Sequence, residues 1–207
     1  MKMFIATLPK ATASLIEKIR LMPVLKTFYL TGGTALSLQL GHRESEDLDF
    51  FSQTDFKPDT VQQALMKIGS LADTKSELGT LNTFLDGVKL QFLHYPYSLL
   101  EEPLEWNSLR LSSVIDIACT KLITISARGS KKDFIDLYKI LENDTLENLF
   151  KKLDEKYQGV NYNHAHILKS LIYFADAEAQ PMPRMHMDVE WEEVKRVITE
   201  KVKKFAF

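Results

Sequence analysis

The chain has 207 residues, 45% of them apolar, and a formal net charge of −2 with 26% charged side chains. That length holds one domain, or one domain with an added helical lobe, and the near-neutral balance excludes a broad nucleic-acid-binding face, which needs clustered cations. A local basic patch stays open. A single cysteine, Cys119, excludes an internal disulfide and a paired-cysteine metal site, and its apolar helical surroundings mark it as a core residue. No apolar run reaches the roughly 18 residues that a membrane-spanning helix needs, and no signal-peptide pattern opens the chain, so a cytoplasmic protein without membrane contact is expected.

The first predicted element is an amphipathic helix from Lys10 to Met22, carried by Leu15, Ile16, Ile19 and Leu21 and ended by Pro23. Thr27 to Leu30 reads as a short buried strand, broken by Gly32-Gly33. Thr34 to Leu40 reads as a helix with Gly41 as its C-cap. Asp47 to Phe51 reads as a strand, and Thr60 to Ile68 as a helix after Pro58. Thr80 to Leu85 and Val88 to Tyr95 flank Asp86-Gly87, a strong hairpin dipeptide. In the second of these strands Val88, Leu90 and Phe92 share one face, and Lys89, Gln91 and Leu93 the other. From about Ser113 the pattern turns helical, with helices expected over Val114–Ala127, Lys132–Leu141, Thr145–Tyr157, His166–Phe174 and Asp188–Val202. The order predicts an α+β fold: a small mixed sheet with flanking helices over residues 1–105, followed by a helical region over 106–207 that completes the site.

Chemistry concentrates between Leu30 and Phe51. Gly32 and Gly33 lie at a strand-to-helix junction, where backbone N–H groups and the helix dipole can hold a phosphate and Thr34 can add a hydroxyl. The same pair also fits a plain tight turn. The run is neither a Walker loop nor a dinucleotide fingerprint. Asp47 and Asp49, two apart on a strand, point to one face while Leu48 and Phe50 point into the core. Two carboxylates so close repel unless a cation joins them, and Mg²⁺ shared with substrate phosphates is the usual solution. A pair of solvent-facing acids is the simpler alternative. Arg43 and Ser45, just before the acids, can meet phosphate oxygens or form a surface ion pair.

Gly32-Gly33-Thr34-Ala35-Leu36, Arg43, Ser45 and Asp47-Leu48-Asp49-Phe50-Phe51 together resemble the opening motif of the AbiEii/AbiGii toxin-type nucleotidyltransferases, within the polymerase-β-like superfamily. A second resemblance lies in Asp116, Ile117, Lys121, Leu122, Arg128 and Lys132-Asp133-Phe134-Ile135-Asp136-Leu137-Tyr138, and a third in Tyr173 to Glu178 with Pro181, Pro183 and Trp191. The resemblance implies transfer of a nucleoside monophosphate from an NTP to an acceptor, either RNA such as tRNA or a protein. It also implies Mg²⁺ as cofactor and an antitoxin as cognate partner. It implies further that Asp47 and Asp49 hold metal, and that Gly32, Gly33 and Thr34 clasp the β- and γ-phosphates with Arg43 and Ser45 nearby. Lys121 and Arg128 would face the triphosphate, with Asp133 and Asp136 orienting them or positioning the acceptor. An ordinary ion-pair network between helices would also account for Lys121, Asp133 and Asp136.

The chain departs from the superfamily at one place. A third carboxylate normally comes from a neighbouring strand, and the expected slot holds Gln91. Asp86, Glu77 and Asp116 are the other acids within range, and none is a clean replacement. A catalytically weakened descendant that binds nucleotide or a cognate protein is therefore the alternative function. His42 reads as a surface residue, while Tyr95, Tyr97 and Trp106 read either as a stacking surface or as a seam between lobes.

Overall fold

A computed structural model describes residues 3–206. The chain divides into two compact units, one up to Ser113 and one from Val114 onward.

The first unit is built on a seven-stranded mixed sheet. In chain order its elements are α1 (Lys10–Ile19), β1 (Tyr29–Thr31), α2 (Gly32–Leu40), β2 (Leu48–Ser52), α3 (Pro58–Met66), β3 (Leu71–Glu77), β4 (Thr80–Leu85), β5 (Val88–His94), β6 (Leu104–Trp106) and β7 (Leu109–Leu111). The strand order is β3-β4-β5-β2-β1-β7-β6. β2 runs parallel to β5 and β1 parallel to β7, and the remaining neighbours are antiparallel. Among these strands β3 carries no alternating signal in the sequence, and β6 and β7 are too short for one to show. They add the sheet's outer parts, and the β6–β7 hairpin extends the sheet unit to Ser113, past the expected boundary at residue 105.

Strand alternation builds the core. Leu48, Phe50, Leu81, Leu85, Leu90 and Phe92 are at most 1% exposed. The rings of Phe50 and Phe92 stack at 5.2 Å, and Phe28 meets Phe92 edge-on at 5.3 Å. α1 contributes Leu15, Ile16 and Ile19 to this core, and α3 contributes Val61 and Leu65. α1 ends at Ile19 rather than Met22, and Leu21 is 67% exposed in the turn that follows. The expected Asp86-Gly87 turn is present, with φ of 49° and 83°, the pair of positive angles that a two-residue hairpin loop needs. Lys18 on α1 pairs with Asp86 at 2.9 Å, and the Ser70 amide also donates to Asp86. These two contacts hold the carboxyl of Asp86 below its ordinary pKa and tie it to the hairpin turn. Glu77, at the end of β3, is exposed.

The second unit is helical: α4 (Val114–Ala127), α5 (Lys131–Ile140), α6 (Leu146–Lys156), α7 (His164–Leu171), α8 (Ala175–Glu178) and α9 (Trp191–Ala206). α4 lies against α5, α6 and α7, and it is apolar on most sides for that reason. Thr145 caps α6 by accepting the Asn148 amide, and Asn163 caps α7 by accepting the His166 amide. Phe134, Phe174 and Trp191 cluster with centroids 4.9 to 6.0 Å apart, and Lys131 sits 5.0 Å over the Trp191 ring. Cys119 is fully buried on α4, and burial pushes its thiol up to about 12, so it behaves as a small apolar residue. Among the described residues no helix is long and apolar enough to cross a membrane.

Candidate active site

β1 runs directly into α2 at Gly32, and β2 lies antiparallel beside β1. Register places Thr31 opposite Asp49, so Asp49 sits beside the first turn of α2. Gly32 has φ of +67°, which an L side chain rarely adopts. A Cβ at Gly32 would overlap the Asp49 carboxylate, with Cγ only 3.1 Å away. Gly33 makes room for different groups: a Cβ there would meet Arg43 Nη2 at 2.6 Å and Ser45 Oγ at 3.0 Å. The two glycines thus make room for two separate approaches, one acidic and one basic.

Asp47 immediately precedes β2 and Asp49 lies within it; both are half-buried, whereas Leu48 and Phe50 are in the core. The alternation expected for the acid pair is therefore present. Arg43 is 3% exposed, and its Nη1 donates to the Glu44 carbonyl at 2.9 Å. Its guanidinium is held over the turn and is not a surface group. Thr34 has a different place from the one the resemblance implied. It is fully buried, its hydroxyl donates to the Asp47 carbonyl, and it stands 3.0 Å from Ser45 Oγ. Thr34 ties α2 to the segment before β2 and is not available as a phosphate hydroxyl. His42 is likewise a correction: at 1% exposure it lies inside, where the left-handed Gly41 cap turns the chain back under α2.

The sheet completes the site on the other side of Asp49. β2 and β5 pair in parallel with Asp49 opposite Gln91, so the slot expected for a third acid does adjoin Asp49 and does hold an amide. Gln91 in turn faces Asn82, and Asn82 faces Lys75. Thr31, Asp49, Gln91, Asn82 and Lys75 therefore form one polar row across five strands, on the face opposite Leu90 and Phe92. Asn82 was legible in principle, because the two-residue Asp86-Gly87 turn fixes which residue of β4 lies beside Gln91. Along the same face, Phe51 contacts Tyr29 and Tyr95 at 6.2 and 4.9 Å, and Tyr95 contacts Tyr97 at 4.8 Å. Trp106 belongs elsewhere, lining a cavity with Ile5, Leu8 and Ile16.

The helical unit holds its own charge cluster. Lys121 Nζ lies 2.6 Å from Asp133 Oδ1 and 2.5 Å from Asp136 Oδ2, with all three residues at most 7% exposed. The two carboxylates share one face of α5 and grip one ammonium of α4, a geometry that an orienting role and a plain ion-pair network between helices have in common. Asp133 Oδ2 is buried with no hydrogen-bond partner. Asp116 pairs with Lys156 at 2.6 Å, both almost fully buried, which removes it as a candidate third acid. Arg128 does not join Lys121. It follows α4, is exposed, and lines a separate cavity with residues of α7.

Gly32 is expected to be far less replaceable than Gly33. An alanine at 32 adds backbone strain and displaces the short Asp49 side chain, while one at 33 meets only the flexible tip of Arg43 and the Ser45 hydroxyl. Gly32→Ala should lose more than about 1 kcal/mol of stability together with metal-dependent nucleotide binding, and Gly33→Ala should retain both in large part. Equal behaviour of the two variants in thermal melts and calorimetry would contradict this assignment.

The family model described as nucleotidyl transferase AbiEii toxin, type IV toxin–antitoxin system, matches residues 15–77 and 89–205. A protein of Aquifex aeolicus, described as uncharacterized, is 36% identical, with 96% of this chain and 97% of that protein covered. Among solved structures, MenT4, a nucleotidyltransferase toxin from Mycobacterium tuberculosis, aligns with a TM-score of 0.58 at 15% identity over 93% of this chain and 82% of that one, a likeness of fold. A structure from H. pylori described as a nucleotidyltransferase aligns with a TM-score of 0.49 at 19% identity over 95% of each chain. With its glycine turn, acidic strand and helical lysine all inside the matched residues, the chain belongs to the AbiEii nucleotidyltransferase toxin family, within the polymerase-β-like superfamily.

Proposed function

We propose that the protein transfers a nucleoside monophosphate from an NTP to an acceptor hydroxyl on RNA, such as tRNA, or on a protein, and acts in the cytoplasm as the toxin-like partner of an antitoxin. The observation that carries this reading is the approach of Asp49 to Gly32, which sets a carboxylate against the first turn of α2 with Asp47 beside it. A helix N-terminus attracts phosphate, and a carboxylate pair attracts a divalent cation.

The donor set suits Mg²⁺. It is all oxygen, and because among the described residues no group of three or more acids, histidines or cysteines gathers to hold a metal, the other ligands would have to come from outside the protein. Two protein carboxylates with the remaining positions left to substrate oxygens and water is the ordinary way Mg²⁺ is held. The ion would neutralise charge that develops on the transferring phosphoryl group. The rest falls to the chain's own side chains. Arg43, held over Gly33, would take phosphate oxygens, and the amides of α2's first turn would add uncharged donors. Lys121 would act as a cation whose direction Asp133 and Asp136 set. In the transfer the acceptor hydroxyl gives up its proton to water, its oxygen bonds to the α-phosphorus, the bond from that phosphorus to the bridging oxygen breaks, and pyrophosphate leaves with the negative charge.

The deciding experiment incubates the protein with labelled NTPs, Mg²⁺, tRNA and cell lysate. Label appearing on an acceptor only with Mg²⁺ supports the reading, and no transfer to any acceptor overturns it. One observation favours the second reading, a weakened descendant that binds nucleotide or a cognate protein: the neutral Gln91 in register with Asp49. It predicts NTP binding without turnover and a gain of transfer in Gln91→Asp. A Gln91→Asp variant no faster than the parent would remove that second reading.

A further inference from the structure

The cavity that Arg128 lines has a volume of about 390 Å³ and lies wholly in the helical unit, between the end of α4 and α7. Its wall carries Arg128, His166, Lys169, Ser170 and Tyr173, with Asp176 as its acid. Neither Arg128 nor Lys169 has a side-chain partner among the described residues, and both are exposed. The wall is nonetheless held in place. His166 Nε2 donates to the Ser126 carbonyl at 3.2 Å, which fastens α7 to the end of α4, and Ser170 Oγ is turned back onto its own helix by donating to the His166 carbonyl at 2.9 Å. Tyr173, 57% exposed, presents an aromatic ring at the rim, and Ile125 adds apolar surface.

The chemistry of this wall is specific in kind. Two cations without partners call for an anion with several oxygens. A ring beside them, in a cavity of ligand size, calls for something flat attached to that anion. Inorganic phosphate would leave the ring and the apolar surface unused, and an acidic peptide would use the cations alone. We propose that this cavity seats one nucleotide of a single-stranded RNA, with its phosphates on Arg128 and Lys169 and its base against Tyr173, as a binding point for the acceptor strand. The proposal rests on the transferase reading for its purpose, though not for its chemistry. It also reassigns Arg128 from the NTP to the acceptor.

The test uses the full chain and a fluorescent oligoadenylate of about eight nucleotides, within the span a single strand-binding groove covers, followed by anisotropy across a salt series. Arg128→Gln and Lys169→Gln should each weaken binding and lower the slope of log affinity against log salt by about 0.7, the value for one lost phosphate contact to a single strand. Tyr173→Ala should weaken binding at least about fivefold with the slope unchanged, because stacking carries no counterion. All three side chains lie at the surface, so melting should match the parent, and calorimetric binding of Mg²⁺ with NTP should be unaltered. Wild-type affinity for the RNA in all three variants would overturn the proposal. So would displacement of the RNA by a polyglutamate peptide together with no effect of Tyr173→Ala, which would assign the cavity to an acidic peptide. If the parent binds this RNA through these residues yet binds no Mg²⁺ and NTP, the cavity stands and the transferase reading falls.

Discussion

Asp49→Asn is expected to lower nucleotidyl transfer by about a thousandfold or more while the protein stays folded. The change keeps the shape of the side chain, so the close approach to Gly32 is preserved. It removes the charge that a divalent cation needs, and a catalytic metal supplies several kcal/mol of charge stabilisation, or roughly three orders of magnitude in rate. A second readout separates this from a structural effect. The parent should melt at a higher temperature with Mg²⁺ and NTP than without, because a ligand that binds only the folded state stabilises it. The Asp49→Asn variant should melt with no such shift. Transfer at the parental rate would show that Asp49 is not the metal ligand. A parental melting shift would show the same independently of any acceptor.

The second large effect is on stability and lies in the helical unit. Lys156 and Asp116 are 1% and 2% exposed and meet at 2.6 Å, joining α6 to α4. Removing one member of a buried ion pair leaves the other charge without water and costs about 3–5 kcal/mol, whereas replacing both by apolar groups costs little. Lys156→Met should therefore unfold at markedly lower denaturant, and Lys156→Met with Asp116→Leu should recover most of the difference. Chemical denaturation of the parent, both single variants and the double variant closes this cycle. A loss below about 1 kcal/mol in Lys156→Met, the value typical of an exposed pair, would refute it. The pair also explains a residue that the sequence reading left ambiguous: Asp116 opens its helix as a structural anchor.

How much of this was legible follows from how local each signal is. The Asp86-Gly87 turn needs only two residues to declare itself, and it sets the register of β4 and β5. That register, with strand alternation, is enough to predict that position 91 stands beside Asp49. The edge strand β3 was not legible. Its sequence, LADTKSE, is mostly exposed, offers no apolar alternation, and is interrupted by a bulge with Asp73 at φ 48°. Its place is decided by β4, which it pairs with, and not by its own residues. β6 and β7 are three residues each, too short for periodicity to show. In the site, the glycine turn and acid pair were legible as one unit because they lie within 18 residues of each other in the chain. The burial of His42 and Arg43 was not, since it depends on the chain turning beneath α2. The resemblance implied one shared target for Lys121 and Arg128. Lys121 meets Asp133 and Asp136, a contact expected of those acids, while Arg128 lies apart in the wall of another cavity, which the order of residues along the chain does not report.

The polar row across the sheet has a consequence at the level of the gene. Every codon for glutamine becomes a codon for glutamate by one change of base, and the two side chains have the same length. Because β5 is held in register by its neighbours on both sides, position 91 keeps its place beside Asp49 whichever of the two it carries. The chain is thus a single mutational step from a three-acid site, with no rebuilding of the sheet around it. Exchange between a two-acid and a three-acid form should therefore leave the fold untouched.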